Sequence, residues 1–163
     1  MRETLLRGKR VDNGEWVVSG SLIRNRRKEG ENFRYFIGGA QPGILVQTKA
    51  GHIVAAETTE ECLFYEVQGD TIGQQVHLTD KDGKEAFTGD ITMDTQGRKW
   101  VIFDCPGGFG TCNPWQWENH LSGDPTFLYS SLSDRQSADW FTRHNTIIGN
   151  IHDNPELLEE AEK

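Results

Sequence analysis

The stretch whose residue types and spacing come nearest to chemistry is Cys105-Pro106-Gly107-Gly108-Phe109-Gly110-Thr111-Cys112, followed by His120. It could be read as a metal site, a redox pair or a nucleophile with its base. Structural zinc takes four ligands, usually as two close pairs, and no second pair is at hand. The spacing is not Cys-x-x-Cys, and six intervening residues do not by themselves lower a thiol pKa. For a cysteine nucleophile the base would be His120, His144 or His152, yet none forms a recognisable local signature with either thiol. Two idle thiols flanking a glycine turn are the commoner outcome, so no metal, cofactor or catalytic residue is assigned. Gly-x-x-x-x-Gly-Lys-Ser/Thr, His-Glu-x-x-His and Gly-x-Ser-x-Gly are all absent from the chain. Carboxylates are abundant, and any fold could bring two together, but nothing in the sequence selects a pair. An unidentified hydrolase is therefore the last of three function classes.

Two features point to binding instead. Asn113-Pro114-Trp115-Gln116-Trp117-Glu118-Asn119-His120 sets two tryptophans at i and i+2. On an extended chain both point to one face, with Gln116 on the other. An exposed face of that kind would serve a protein partner, a stacked base or a sugar. The structural alternative, favoured because large aromatics mostly pack, is that the pair roofs the core under a long loop. The run Arg24-Asn25-Arg26-Arg27-Lys28 could meet phosphates. Its structural alternative is a solvated loop that keeps a strand edge from pairing with other chains. The candidate patch is thus Trp115, Trp117, Arg24, Arg26, Arg27 and Lys28.

Something must position these residues, and the punctuation of the chain says what. The 163 residues include 18 glycines, above the usual ~7% and costly inside helices. Turn signals recur along the chain at Asp12-Asn13-Gly14, Glu29-Gly30, Gly38-Gly39, Lys49-Ala50-Gly51, Gln68-Gly69-Asp70, Lys81-Asp82-Gly83, Gln96-Gly97 and Pro106-Gly107-Gly108. Between them lie strand-like segments: Glu15 to Ile23, Phe33 to Ile37, Gly43 to Thr48, His52 to Ala56, Leu63 to Val67, Lys84 to Phe87 and Arg98 to Asp104. Lys99 to Phe103 is the richest in β-branched and aromatic residues and belongs in the core. Asp134 to Phe141 suits a short helix with Ser133 as N-cap, followed by a strand from Thr146 to Ile151. A terminal helix after Asn154-Pro155 docks through Leu157 and Leu158. Cys105 to Ser133 shows no clear periodicity and exceeds an ordinary connection. The expected fold is mainly β: a small β-barrel or two abutting antiparallel sheets with a short C-terminal helix, as one domain over 1–163. No apolar stretch resembles a signal peptide or a membrane span, and three cysteines suit free thiols, so a cytoplasmic protein is expected.

Charge is uneven. Residues 1–36 hold nine Lys/Arg against five Asp/Glu, or +4, and the remainder holds eight against twenty, or −12, which together give −8. A broad nucleic-acid surface is disfavoured by that balance, and a local one is not.

Three blocks carry a family resemblance. Arg7 to Trp16 (RGKRVDNGEW), Gly73 to Ile91 (GQQVHLTDKDGKEAFTGDI) and Ile147 to Leu158 (IIGNIHDNPELL) resemble the signature blocks of the YopX family, in the same order. That resemblance implies a small, mostly β protein of a phage or prophage in a bacterial cell. It supplies no catalytic residues. The family pattern has Thr-Gly-Leu where this chain reads Val76-His77-Leu78, which puts the local turn in question. The chain also looks longer than many members, chiefly through an elaborated loop region at about 104–143. The leading expectation is a non-enzymatic accessory protein that binds another protein or self-associates as a homo-oligomer. A nucleic-acid-binding module using Arg24 to Lys28 with Trp115 and Trp117 is the alternative, and no membrane partner is expected.

Overall fold

Asp-x-x-Gly followed by a basic residue occurs at Asp80 to Lys84 and again at Asp94 to Arg98, and both segments fold into the same turn. In each, the aspartate Oδ1 accepts from two backbone N–H groups, those of Asp82 and Lys84 in one turn and those of Gln96 and Arg98 in the other. The glycine takes the left-handed conformation that closes the loop, at φ +84° for Gly83 and +79° for Gly97. These turns belong to a computed structural model that describes residues 4–25, 33–39, 46–49, 52–55, 63–123 and 127–159. The chain divides into two compact units, Met1–Gln74 and Gln75–Lys163.

In the first unit, β1 (Leu6–Lys9) and β2 (Trp16–Ser19) form an antiparallel hairpin in register Leu6↔Ser19 and Lys9↔Trp16. Gly14, at φ +73°, closes it, and its N–H donates to the Arg10 carbonyl. Next come β3 (Ser21–Asn25), β4 (Arg34–Gly39) and a hairpin of β5 (Val46–Lys49) with β6 (His52–Ala55). β7 (Leu63–Val67) then pairs with β4 to give the order β3-β4-β7. β1 lies close against this sheet because Gly8 has no side chain. A Cβ there would stand 3.0 Å from both Ile37 and Val67, which are 0% and 3% exposed. β8 (Gly73–Thr79) begins here, with Gly73 and Gln74 opposite Arg7 and Leu6.

In the second unit the rest of β8 pairs with β9 (Glu85–Phe87), with a register shift between Gln75 and Thr79. His77 stands inside that irregularity at φ +60°. That is a conformation glycine adopts freely and histidine only at a cost. β10 (Asp90–Asp94), β11 (Lys99–Cys105) and β12 (Gly108–Cys112) follow, then α1 (Pro114–Ser122), β13 (Ser130–Ser131), α2 (Arg135–His144), β14 (Asn145–Asn150) and α3 (Glu156–Glu159). The sheet order is β13-β12-β11-β10-β14, antiparallel throughout. Cys105 to Ser133 therefore carries β12, α1 and β13. The described sheets are open and none closes into a barrel, which corrects that half of the expected architecture. Closure needs strands staggered continuously around the ring, whereas this sheet runs out in a two-residue strand at β13.

Side chains alternate across β11 and build a core on each face of the sheet. Val101 and Phe103 join Ile91 and Cys112, covered by Trp117 of α1 and by Leu157 and Leu158 of α3. Ile102 points the other way and packs with Val76, Ala86, Leu132, Ile147 and Phe141 of α2. The terminal helix docks through the two leucines expected of it. α2 starts one residue later than expected, with Asp134 rather than Ser133 as N-cap, because the Asp134 carboxylate accepts from the Ser137 N–H at 2.9 Å.

Candidate binding site on the first helix

Asn113 in an extended conformation followed by Pro114 at the first helical position is a helix start, since proline's fixed φ and missing N–H suit that place. Gly123, at φ +70°, ends the helix by donating its N–H to the Asn119 and His120 carbonyls. The expected extended chain is thus corrected to a helix, and the tryptophans no longer share a face. Two residues along a helix turn by about 200°. Trp115 accordingly stands 52% exposed while Trp117 is half-buried, and Gln116, expected on the face opposite both tryptophans, is 5% exposed. The Gln116 Oε1 accepts from the Leu128 N–H and the Asn119 side-chain amide, which ties the helix to the segment that follows it.

The inner face of α1 belongs to an aromatic cluster around Phe103. Trp117 meets that ring edge-on at 6.4 Å, His120 lies 4.6 Å from it, and Phe127 and Tyr129 approach at 5.2 and 5.5 Å. His120 stacks on Trp117 at 5.0 Å, so its ring serves packing. The two described thiols, Cys105 and Cys112, are poor nucleophiles. Burial pushes Cys112 up to about 12 and raises Cys105 as well, so neither supplies thiolate at neutral pH. Among the described residues no group of three or more His, Cys, Asp or Glu could hold a metal ion. Nor is any described helix long and apolar enough to cross a membrane.

The outer face of α1 is different. Trp115, Glu118 and Leu121 follow one another at i, i+3 and i+6, and Leu121 is 68% exposed. Together with Pro114, Trp117 and the Leu158 and Glu159 of α3 they line a groove of about 440 Å3. Its lining is mixed, with apolar surface from Pro114, Trp115, Trp117, Leu121 and Leu158 and carboxylates from Glu118 and Glu159. Of the basic run, Arg24 is exposed on β3 with its guanidinium 3.5 Å above the Phe33 ring centroid. Arg26, Arg27 and Lys28 lie outside the described residues. Arg24 belongs to the first unit and the tryptophans to the second.

A family model described as YopX protein matches residues 35–159, well over half of the chain. The chain belongs to the YopX family. No curated protein matches this YopX chain. Among solved structures, the crystal structure of protein EF1440 from Enterococcus faecalis is similar at 20% identity and a TM-score of 0.48, covering 95% of this chain and 97% of that one. Two of the three signature blocks fall within the matched range of the YopX chain, and the first, Arg7 to Trp16, precedes it. Each block does scaffold work. The first forms the β1–β2 turn. The second supplies Asp80, whose Oδ2 accepts from the Ile147 N–H at 2.9 Å, and Asp90, which accepts from the Phe87 N–H at 2.8 Å. In the third, Gly149 leaves room for α3 and the turn before it, since a Cβ there would stand 2.5 Å from the Asn154 Oδ1 and 3.0 Å from the Leu157 Cδ1. The groove residues Leu121, Leu158, Glu118 and Glu159 were not singled out from sequence as binding residues. The Asn-Pro start and Gly stop around an i, i+3 spacing were the signal that would have found the first of them.

Proposed function

We propose that this YopX chain is a non-enzymatic accessory protein of a phage or prophage that works by binding another protein in the α1–α3 groove. The observation that carries this reading is Trp115, held 52% exposed on a helix bounded by Pro114 and Gly123, beside a groove that mixes apolar side chains with two carboxylates. A rigid, half-exposed indole next to a concave apolar surface is the usual anchor of a protein interface. Glu118 and Glu159 in the lining favour a partner segment that places Lys or Arg beside its apolar side chains, and charge complementarity would set its orientation and on-rate. The phage setting is carried over from the family resemblance. An enzyme is disfavoured by the raised thiols and by a histidine committed to packing.

The test is selection of amphipathic peptides from a display library against the whole chain, with competition against Trp115→Ala and Leu121→Ala. Selected peptides should pair Leu, Phe or Trp with Lys or Arg, and Trp115→Ala should weaken them by about 30-fold, the size of an interface hot spot. Peptides that bind both variants as tightly as the parent would sink the assignment. Light scattering on the same variants separates a foreign partner from a second copy of the chain, since only self-association changes the mass of the pure protein.

A further inference from the structure

The opposite face of the five-stranded sheet, beneath α2, carries a cavity of about 330 Å3. That is the low end of small-molecule pockets, ~300–1,000 Å3, and fits one ring system with a substituent. Trp100, Trp140 and Phe141 wall it with aromatic surface. Thr111 and Asn145, 6% and 1% exposed, contribute buried polar groups to its lining, and Gln136 and Ser137 add an amide and a hydroxyl from the first turn of α2. Trp140 is 41% exposed and also lines an adjoining groove with Arg135, Asp139, Arg143 and His144.

The distribution of arginine singles this place out. Residues 37–163 carry −12 overall and contain three arginines, Arg98, Arg135 and Arg143. Arg98 lines the cavity, and Arg135 and Arg143 line the adjoining groove. In the most acidic part of the chain, its guanidinium groups therefore gather around one exposed indole. The aromatic walls are also held in place. Asp94 Oδ2 accepts from Arg98 Nε at 2.7 Å and from Trp100 Nε1 at 3.2 Å, which fixes both side chains and leaves the terminal nitrogens of Arg98 outside that bond. His144 stacks on Trp140 at 5.1 Å, and its Nδ1–H donates to the Trp140 carbonyl at 2.9 Å.

We propose that this cavity binds a nucleotide, with the base against Trp140 and the attached phosphate on the arginines of the adjoining groove, Arg135 and Arg143. Indole faces stack any base, and neutral hydroxyl and amide groups can satisfy a base edge. Guanidinium groups prefer phosphate, whose oxygens they meet in pairs. The cavity holds one base, and the surrounding negative charge adds a repulsion that grows with phosphate density, so the site takes one nucleotide, free or at an unpaired position of a short strand, rather than a duplex. This site is separate from the α1–α3 groove and does not depend on it.

The test is calorimetric titration of the whole chain with the four common nucleoside monophosphates, the matching nucleosides and an eight-residue oligothymidylate. At least one monophosphate or the oligonucleotide should bind at one site per chain. Its nucleoside should bind at least about ten-fold more weakly. Trp140→Leu should weaken binding by about ten-fold or more and Trp140→Phe by no more than about three-fold. Arg135→Gln with Arg143→Gln should weaken it several-fold and flatten its salt dependence, whereas Lys84→Gln should not. The arginine pair is exposed on α2, so it keeps the test open if Trp140→Leu fails to fold. Tighter binding of the oligonucleotide than of any monophosphate assigns the site to an unpaired strand, and the reverse assigns it to a free nucleotide. No saturable binding of either, nucleosides binding as well as monophosphates, or binding unmoved by both the Trp140 and arginine changes would overturn the proposal.

Discussion

His77 and Asp80 show how much of this fold rests on single residues. A non-glycine residue in the left-handed region costs about 1–2 kcal/mol, part of which a glycine gives back as lost chain entropy. His77→Gly should therefore raise stability by roughly 0.5–1 kcal/mol, visible as a higher urea midpoint with an unchanged slope. A lower midpoint would mean that the imidazole contributes more than its backbone costs. Asp80 is 2% exposed and accepts from three backbone N–H groups. Asp80→Asn would turn an amide N–H toward one of those donors. A loss of about 2–3 kcal/mol is expected, the range for hydrogen bonds to a charged acceptor. Urea unfolding within about 0.5 kcal/mol of the parent would show that the turn re-pairs.

At the level of elements, α1 makes the clearest prediction. Trp117 packs on Phe103 while Trp115 faces outward, so Trp117→Ala should destabilise by about 2–3 kcal/mol and Trp115→Ala by less than about 0.5 kcal/mol. Equal losses in thermal melts would contradict the helical phase of the two side chains. Sequence pattern found β4 to β7, β9, β11, α2, β14 and the docking of Leu157 and Leu158 because hairpin turns and apolar alternation are local, but it ran β2 and β3 together as one strand, Glu15 to Ile23, which the chain breaks at Gly20. It missed α1 because Trp at i and i+2 looks like strand alternation, and the outcome was decided by the Asn-Pro start and Gly123 stop. It also missed β1, β8, β10, β12 and β13, which are short or rich in glycine and polar residues. Thr92, Asp90 and Asp94 are buried in β10, where hydrogen bonds make burial tolerable: Asp90 accepts from the nearby Phe87 N–H and Asp94 from the Gln96 and Arg98 N–H groups, while Thr92 donates to the sequence-distant Asn145 at 3.2 Å.

For the whole molecule, charge and buried carboxylates separate two acid effects. Net charge passes through zero near the pI of about 5.1, where repulsion between copies is least. Burial pushes Asp80 and Asp94 up, but the N–H groups of Ile147 and Lys84 for the first, and of Arg98 with its guanidinium for the second, outweigh it. Both carboxyls end below their ordinary 3.8. Their stabilisation is complete above 3.8 and is lost as pH falls through the lower folded values. Light scattering should therefore peak near pH 5 with native circular dichroism, and unfolding should begin only below about pH 4. Loss of native signal already at pH 5 would show that other groups govern acid stability.

The amino-acid sequence by itself determined the strand-rich class, the hairpin turns, the helical C-terminus and the family, because glycine conformation, turn chemistry and apolar alternation act over a few residues. Tertiary structure alone decided which side chains became surface. Packing of α1 on Phe103 put Trp117 inside and left Trp115 out, burial raised the Cys112 thiol, and the docking of α2 on the sheet set Arg98 beside the cavity that Trp140 lines. Those outcomes depend on which residues far apart in the chain come within a few ångströms of one another, and no local pattern carries that distance.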